Sequence, residues 1–146
     1  MNPFLQIINN KYIYVPILLW FCIQVFKVIW DLVTTRKFNF KRILGAGGMP
    51  SSHSAVVCSL AALIGKNNGL DSAIFALSVV FAFIVMYDAA GIRRAAGKQA
   101  KLLNRIIDTQ GLTTEQVQER LVEVLGHTPV QVFVGALLGV FVGIIM

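Results

Sequence analysis

A short stretch, Gly47-Gly48-Met49-Pro50-Ser51-Ser52-His53-Ser54-Ala55, contains the residues best suited to chemistry. Its glycines predict a turn, and Pro50 suits the first turn of the apolar helix that follows. The N–H groups at a helix start attract anions, and a histidine there can protonate a phosphate oxygen or bond to phosphorus. The pattern predicts a phosphate site that includes Ser51, Ser52 and His53. The alternative is an ordinary helix cap, for which serine is equally suited.

The second histidine of the chain, His127, also precedes a helix start. It is followed by Thr128-Pro129-Val130-Gln131. Threonine is a good N-cap, proline fits the first helical position, and a glutamine three residues after the cap completes a capping box. Both histidines are therefore predicted to lie at helix N-termini.

The composition indicates an integral membrane protein. Hydrophobic residues make up 56% of the 146 residues and charged residues only 14%. Four apolar stretches predict transmembrane or membrane-embedded helices, at residues 12–33, 51–64, 70–87 and 129–146. The second is short, so it is either a helix shielded by its neighbours or a re-entrant element, and we count it as a helix. The expected fold is an all-α, multi-pass protein of the cell membrane with a single domain, 1–146. Cys22 and Cys58 lie in apolar stretches and are expected to be buried.

The positive charges predict the orientation. Ten of the thirteen Lys and Arg residues lie in two loops: four in residues 34–49 and six in residues 88–128. Such loops face the cytoplasm, so the two histidines should meet at the cytoplasmic surface. The net charge of +6 then reflects orientation and attraction to anionic lipid. Nothing in the sequence resembles a nucleic-acid-binding module.

The loop 88–128 predicts two amphipathic cytoplasmic helices, divided at about residues 108–113. Four basic residues form one stripe along the first helix: Arg94, Lys98, Lys101 and Arg105. Contact with the membrane surface is the favoured interpretation of this stripe. Arg93 lies off the stripe, so it is the better candidate to face a bound phosphate. Asp88 can pair with an arginine, cap a helix or orient a histidine, and the sequence does not choose among these.

Two histidines, several cations and two helix N-termini on one membrane face predict phosphoryl transfer. One histidine can attack phosphorus while the other protonates the leaving oxygen, and basic groups hold the remaining oxygens. This chemistry requires no metal and no cofactor. A Mg²⁺ site remains an alternative because Asp88 and Glu123 are available as ligands.

Three blocks of the sequence, 48–54, 88–100 and 126–132, together resemble the divergent branch of the type 2 phosphatidic acid phosphatase and vanadium haloperoxidase superfamily. The resemblance implies that His53 is the general acid and His127 the nucleophile. The family's aspartate, four residues after the nucleophile, corresponds to Gln131, so Asp88 and Glu123 are further candidates to orient the histidine. The family's arginine six residues before the nucleophile falls on Leu121, and its Lys-(six residues)-Arg-Pro motif has no match. Arg93, Arg42 and Lys41 are the candidates to replace those cations.

The sequence therefore predicts a membrane phosphatase that hydrolyses a phosphomonoester or diphosphate of a lipid through a phosphohistidine. The alternative is a non-catalytic membrane protein of the same fold that binds lipid phosphate or acts as a scaffold. Under either hypothesis the expected partners of the protein are a lipid phosphate and the membrane. Four short spans make a small bundle, and a homodimer is one way to complete it.

Overall fold

The structure is a computed structural model that describes residues 2–36, 48–109 and 126–146, with the side chain of Arg93 left out. Within these ranges there are six helices and no strand. The helices are α1 (Pro3–Ile8), α2 (Lys11–Thr35), α3 (Ser52–Asn68), α4 (Ala73–Ala90), α5 (Ile92–Thr109) and α6 (Pro129–Ile145). The predicted second amphipathic helix of the loop 88–128 lies outside the described residues.

Each of the four long apolar helices begins at a side chain that accepts a backbone hydrogen bond. The N-caps are Asn10 for α2, Ser51 for α3, Ser72 for α4 and Thr128 for α6. Such caps satisfy N–H groups that have no partner inside the helix. These caps define the first residue of each of the four helices.

The four predicted stretches correspond to α2, α3, α4 and α6, although α3 continues to Asn68 instead of ending at 64. It ends only at Gly69, whose φ of 88° places it in the left-handed region. Within the described ranges, two helical stretches are long and apolar enough to cross a membrane: α2 and Ala73–Thr109, whose apolar part is α4. The helix α6 is equally apolar but one residue shorter than α4.

The central helix is α3, which packs against α2, α4 and α6. Its polar residues Ser52, Ser54 and Ser59 are buried. Because neighbouring helices surround it, α3 needs little apolar surface of its own. Of the two possibilities given for this stretch, the structure has the shielded helix.

The helices α3 and α6 run parallel and their backbones touch. A Cβ atom placed on Gly135, Gly139 or Gly143 would overlap a carbonyl oxygen of Ser51, Ala55 or Ser59 in turn. Small residues spaced by four allow such close approach between membrane helices. In addition, the N–H of Ser51 donates to the carbonyl of Gln131 over 3.0 Å, which joins the starts of the two helices. This interface fixes the position of one histidine relative to the other.

The helix α2 runs antiparallel to α3. At one end Lys11 and Tyr12 hydrogen-bond to Asn67 and Asn68. In the middle, Leu19 and Ile23 share a core cluster with Ala55. One further turn along α2 therefore reaches the level at which α3 begins.

The expectation that both cysteines are buried is wrong for Cys22, which is exposed, whereas Cys58 is buried. In a helix that faces lipid, the outward side is as apolar as the inward side. Apolar neighbours in the sequence therefore do not distinguish a residue facing lipid from one facing protein.

Candidate active site

The two histidines meet at the starts of α3 and α6. The ring centroids of His53 and His127 are 5.7 Å apart, with the ring planes at 64°. His127 is 1% exposed, and His53 is partly buried. The expected convergence of both histidines at one end of the bundle is thus present in the geometry.

One backbone contact and one side-chain contact hold His127 in place. Its N–H donates to the carbonyl of Ala89, near the end of α4, over 2.9 Å. Its side-chain Nδ1 lies 3.3 Å from Oε1 of Gln131 in the first turn of α6. The histidine is therefore positioned by α4 and α6 together, although it belongs to neither helix.

Gln131 determines which nitrogen of His127 carries the proton. Its Oε1 accepts the N–H of Thr128 over 3.0 Å as part of the capping box, so the oxygen of the amide is the atom that faces His127. An oxygen acceptor requires a donor, which assigns the proton of the neutral imidazole to Nδ1. The lone pair is then on Nε2, a buried atom that has no hydrogen-bond partner among the described residues.

The surroundings of His127 keep its imidazole neutral. Burial is the largest cause and the nearby Lys27 ammonium the second, and together with His53 they lower the pKa of His127 from 6.5 to about 4. Interactions of the ring with the Gln131 side chain and with the backbone of Gly48 oppose this shift. At neutral pH Nε2 therefore has a free lone pair that can attack an electrophile.

Sequence reasoning missed Lys27, which lies within the predicted apolar stretch 12–33. The side chain is 4% exposed, and Gln24, one turn earlier on the same face of α2, is 6% exposed. The antiparallel register of α2 and α3 brings Lys27 to the level of Ser51. The signal that could have found it is the spacing of two polar residues by three in an apolar helix, because buried charges in membrane helices usually mark functional sites.

The serines differ in what their hydroxyls do. Ser51 is fully buried. Its Oγ lies 3.4 Å from the backbone nitrogen of Ser54 and 3.0 Å from the Ser54 hydroxyl oxygen. Ser51 thus has the capping role that the sequence offered as the alternative to phosphate binding. Ser52 is also buried, in the first turn of α3, where N–H groups have no acceptor inside the helix.

Of the remaining candidate residues, the structure describes the positions of Asp88 and Arg93. Asp88 lies half-buried in the last turn of α4, next to the Ala89 carbonyl that accepts from His127. Arg93 lies in the first turn of α5. Lys41, Arg42 and Glu123 lie outside the described residues. Within the described part of the chain, no three His, Cys, Asp or Glu side chains are grouped to hold a metal ion.

A family model described as "Divergent PAP2 family" matches residues 8–142. The chain belongs to this family. The uncharacterized membrane protein YuiD of Bacillus subtilis is 38% identical over 134 residues, which cover 84% of this chain and 85% of YuiD. No solved structure matches. Membership of the divergent PAP2 family confirms the resemblance drawn from the three sequence blocks and supports a phosphatase-related membrane protein.

Proposed function

We propose that the protein is a membrane phosphatase that hydrolyses a phosphomonoester or diphosphate of a lipid through a phosphohistidine. The observation that carries this proposal is the pair of histidines at one end of the bundle, 5.7 Å apart, with Nε2 of His127 buried and without a partner among the described residues. Membership of the divergent PAP2 family supports the same chemistry.

The reaction takes two steps. In the first, Nε2 of His127 attacks phosphorus, the bond from phosphorus to the lipid oxygen breaks, and His53 gives its proton to that oxygen. In the second, His53 takes a proton from water, the oxygen of that water attacks phosphorus, and the nitrogen–phosphorus bond breaks. Inorganic phosphate leaves, and both histidines return to their starting states.

The cation that balances the charge of the phosphate in this site is Lys27. The Lys27 ammonium lies near enough to His127 to lower its pKa, so the same charge also attracts an anion held between His53 and His127. Lys27 comes from α2, while α3 holds His53, and α4 and α6 together position His127. The site therefore uses four helices, and in this proposal Lys27 takes a role for which the sequence suggested Arg93, Arg42 and Lys41.

A second candidate function is lipid-phosphate binding without turnover, and Gln131 is the residue that favours it. An ionised aspartate would stabilise the imidazolium and phosphoimidazole forms of His127, whereas a neutral amide only orients the ring. The test is phosphate release by purified protein from a panel of lipid monophosphates and diphosphates. Binding without any release from wild-type protein would establish the non-catalytic function.

We also propose that the histidine end of the bundle faces the cytoplasm of a multi-pass cell-membrane protein. In a chain with both native cysteines replaced by alanine, Thr109→Cys should not react with an impermeant maleimide in intact cells. The matched variant Asn68→Cys, at the opposite end of the bundle, should react. This follows from the concentration of Lys and Arg in the loops next to the site. Labelling of Thr109→Cys alone would reverse the orientation.

The tautomer and the pKa of the His127 imidazole can be measured directly by NMR, since the chain has only two histidines. The ¹⁵N spectrum of labelled protein should show His127 as the neutral Nδ1–H form at pH 5.5, because its pKa is lowered to about 4. Lys27→Met should raise this pKa, since it removes a positive neighbour that disfavours the imidazolium. Lys66→Met, at the far end of α3, should leave it unchanged. A titration midpoint of His127 near pH 6.5 in wild-type protein would contradict the site geometry.

A further inference from the structure

An open apolar furrow runs along the outside of the bundle between α2 and α6. Both helices pack on α3 but touch each other little. The furrow consists of two adjoining grooves of about 350 and 210 Å³, which share Leu19 and Cys22. Its lining includes residues of α2 and α6 that belong to one hydrophobic cluster: Leu19, Ile23 and Leu138.

One end of this furrow reaches the candidate active site. The groove nearer the site ends at Phe26 and Pro50. Phe26 is followed in the chain by the buried Lys27, and Pro50 by Ser51, where α3 is capped. The other end lies at Val15 and Met146. The furrow therefore begins beside the residues proposed to hold a phosphate and leads away along the membrane-facing surface.

The length of the furrow suits one hydrocarbon chain. From Phe26 to Val15 along α2 are eleven residues, which at about 1.5 Å each span roughly 16 Å. Half of the roughly 30 Å hydrocarbon core of a bilayer is about 15 Å, which is the length that one lipid chain occupies. A single hydrocarbon chain would fill the furrow while its headgroup remained at the end beside Pro50.

We propose that the furrow between α2 and α6 holds the hydrocarbon chain of the lipid whose phosphate lies between His53 and His127. This inference rests on the proposed function for the identity of that site. Charge supports one direction of binding, because the buried Lys27 at the head of the furrow attracts the phosphate end of the lipid. The furrow then selects substrates by the presence of a long chain.

A larger groove of about 660 Å³, between α3, α4 and α6, provides the control. On the side of the site this groove ends at Cys58 and Met86, more than one turn of α3 beyond His53. A core cluster that includes Val57 and Ala136 lies at that end. A substitution in this groove changes a similar apolar surface that does not adjoin Pro50 and Lys27.

The test compares two probes, hexadecyl phosphate and butyl phosphate, as substrates of the full chain in detergent. Cys22→Trp fills the shared part of the furrow, and because Cys22 is exposed the change leaves the core intact. We expect kcat/KM for hexadecyl phosphate to fall by about tenfold or more, since the indole occupies the space of the hydrocarbon chain, and kcat/KM for butyl phosphate to change by less than about twofold. Val79→Trp, in the larger groove, should alter neither. Equal effects of Cys22→Trp on both probes, or no effect on hexadecyl phosphate, would overturn the proposal.

A binding measurement separates this proposal from the proposed catalysis. In Cys58→Ala protein, hexadecyl phosphate should slow the alkylation of Cys22 by N-ethylmaleimide, whereas butyl phosphate and hexadecanol should not. Protection without phosphate release would support the furrow and refute the phosphatase. Phosphate release from butyl phosphate, with no protection of Cys22 by hexadecyl phosphate, would support the phosphatase and refute the furrow. Protection that depends on protein concentration instead of lipid would assign the furrow to a second copy of the chain and overturn the proposal.

Discussion

Replacing His127 by alanine is expected to abolish phosphate release from every substrate. In the proposed mechanism the imidazole supplies the lone pair that forms the nitrogen–phosphorus bond, and no other described side chain occupies its place between α4 and α6. Phosphate release by purified protein measures the effect. A ³²P-labelled, acid-labile protein intermediate should form in the wild type and be absent from His127→Ala.

His53→Ala should give a different pattern, which separates the general acid from the nucleophile. Loss of a general acid slows release from an alkyl phosphate by about 10²- to 10⁴-fold. The first step with p-nitrophenyl phosphate should be far less affected, because its leaving group needs no proton. The labelled intermediate should then accumulate, since His53 also activates the water of the second step. Lys101→Ala on the exposed surface of α5 is the control and should keep wild-type rates. Turnover by His127→Ala would refute the phosphohistidine mechanism.

The second large effect is expected at Gly139, where α6 touches α3. A methyl group added there would overlap the Ala55 carbonyl oxygen, which belongs to the backbone of the central helix and cannot turn away. Overpacking of this kind costs about 1–3 kcal/mol, so Gly139→Ala should lower the Tm in detergent by at least about 3 °C. Gly139→Leu should prevent folding.

The matched control is Val140→Ile, which adds one methyl group to the exposed face of the same helix. It should leave both Tm and phosphate release unchanged. Gly139→Ala should reduce phosphate release more than its stability loss explains, because it also moves His127 away from His53. A wild-type Tm for Gly139→Ala would mean that the two backbones are not in contact.

Much of this arrangement could be predicted from residue types. Hydropathy located α2, α3, α4 and α6, and the caps Ser51 and Thr128 fixed two of their starts. The distribution of Lys and Arg then placed both histidines at the same end of the bundle. These predictions succeed because they depend on local chemistry and on the bilayer, which acts on each segment separately.

The contributions of Lys27 and of the glycines depended on packing between helices. Whether Lys27 faces lipid, water or protein is decided by the register of α2 against α3, which hydropathy does not contain. The spacing of Gly135, Gly139 and Gly143 is visible in the sequence, but an apolar scan records them only as part of a span. Gln131 is a further case, because one amide oxygen serves both the capping box and His127.

The parallel packing of α3 and α6 has an electrostatic consequence for anion binding. Two helix dipoles that point the same way at close range repel each other, and their positive ends lie side by side at the histidine pair. The buried ammonium of Lys27 adds to the same unfavourable field. An anion at this end would reduce that repulsion, so we expect anion binding to increase the stability of the bundle. A bound phosphate would act as a structural element that holds the three helices together.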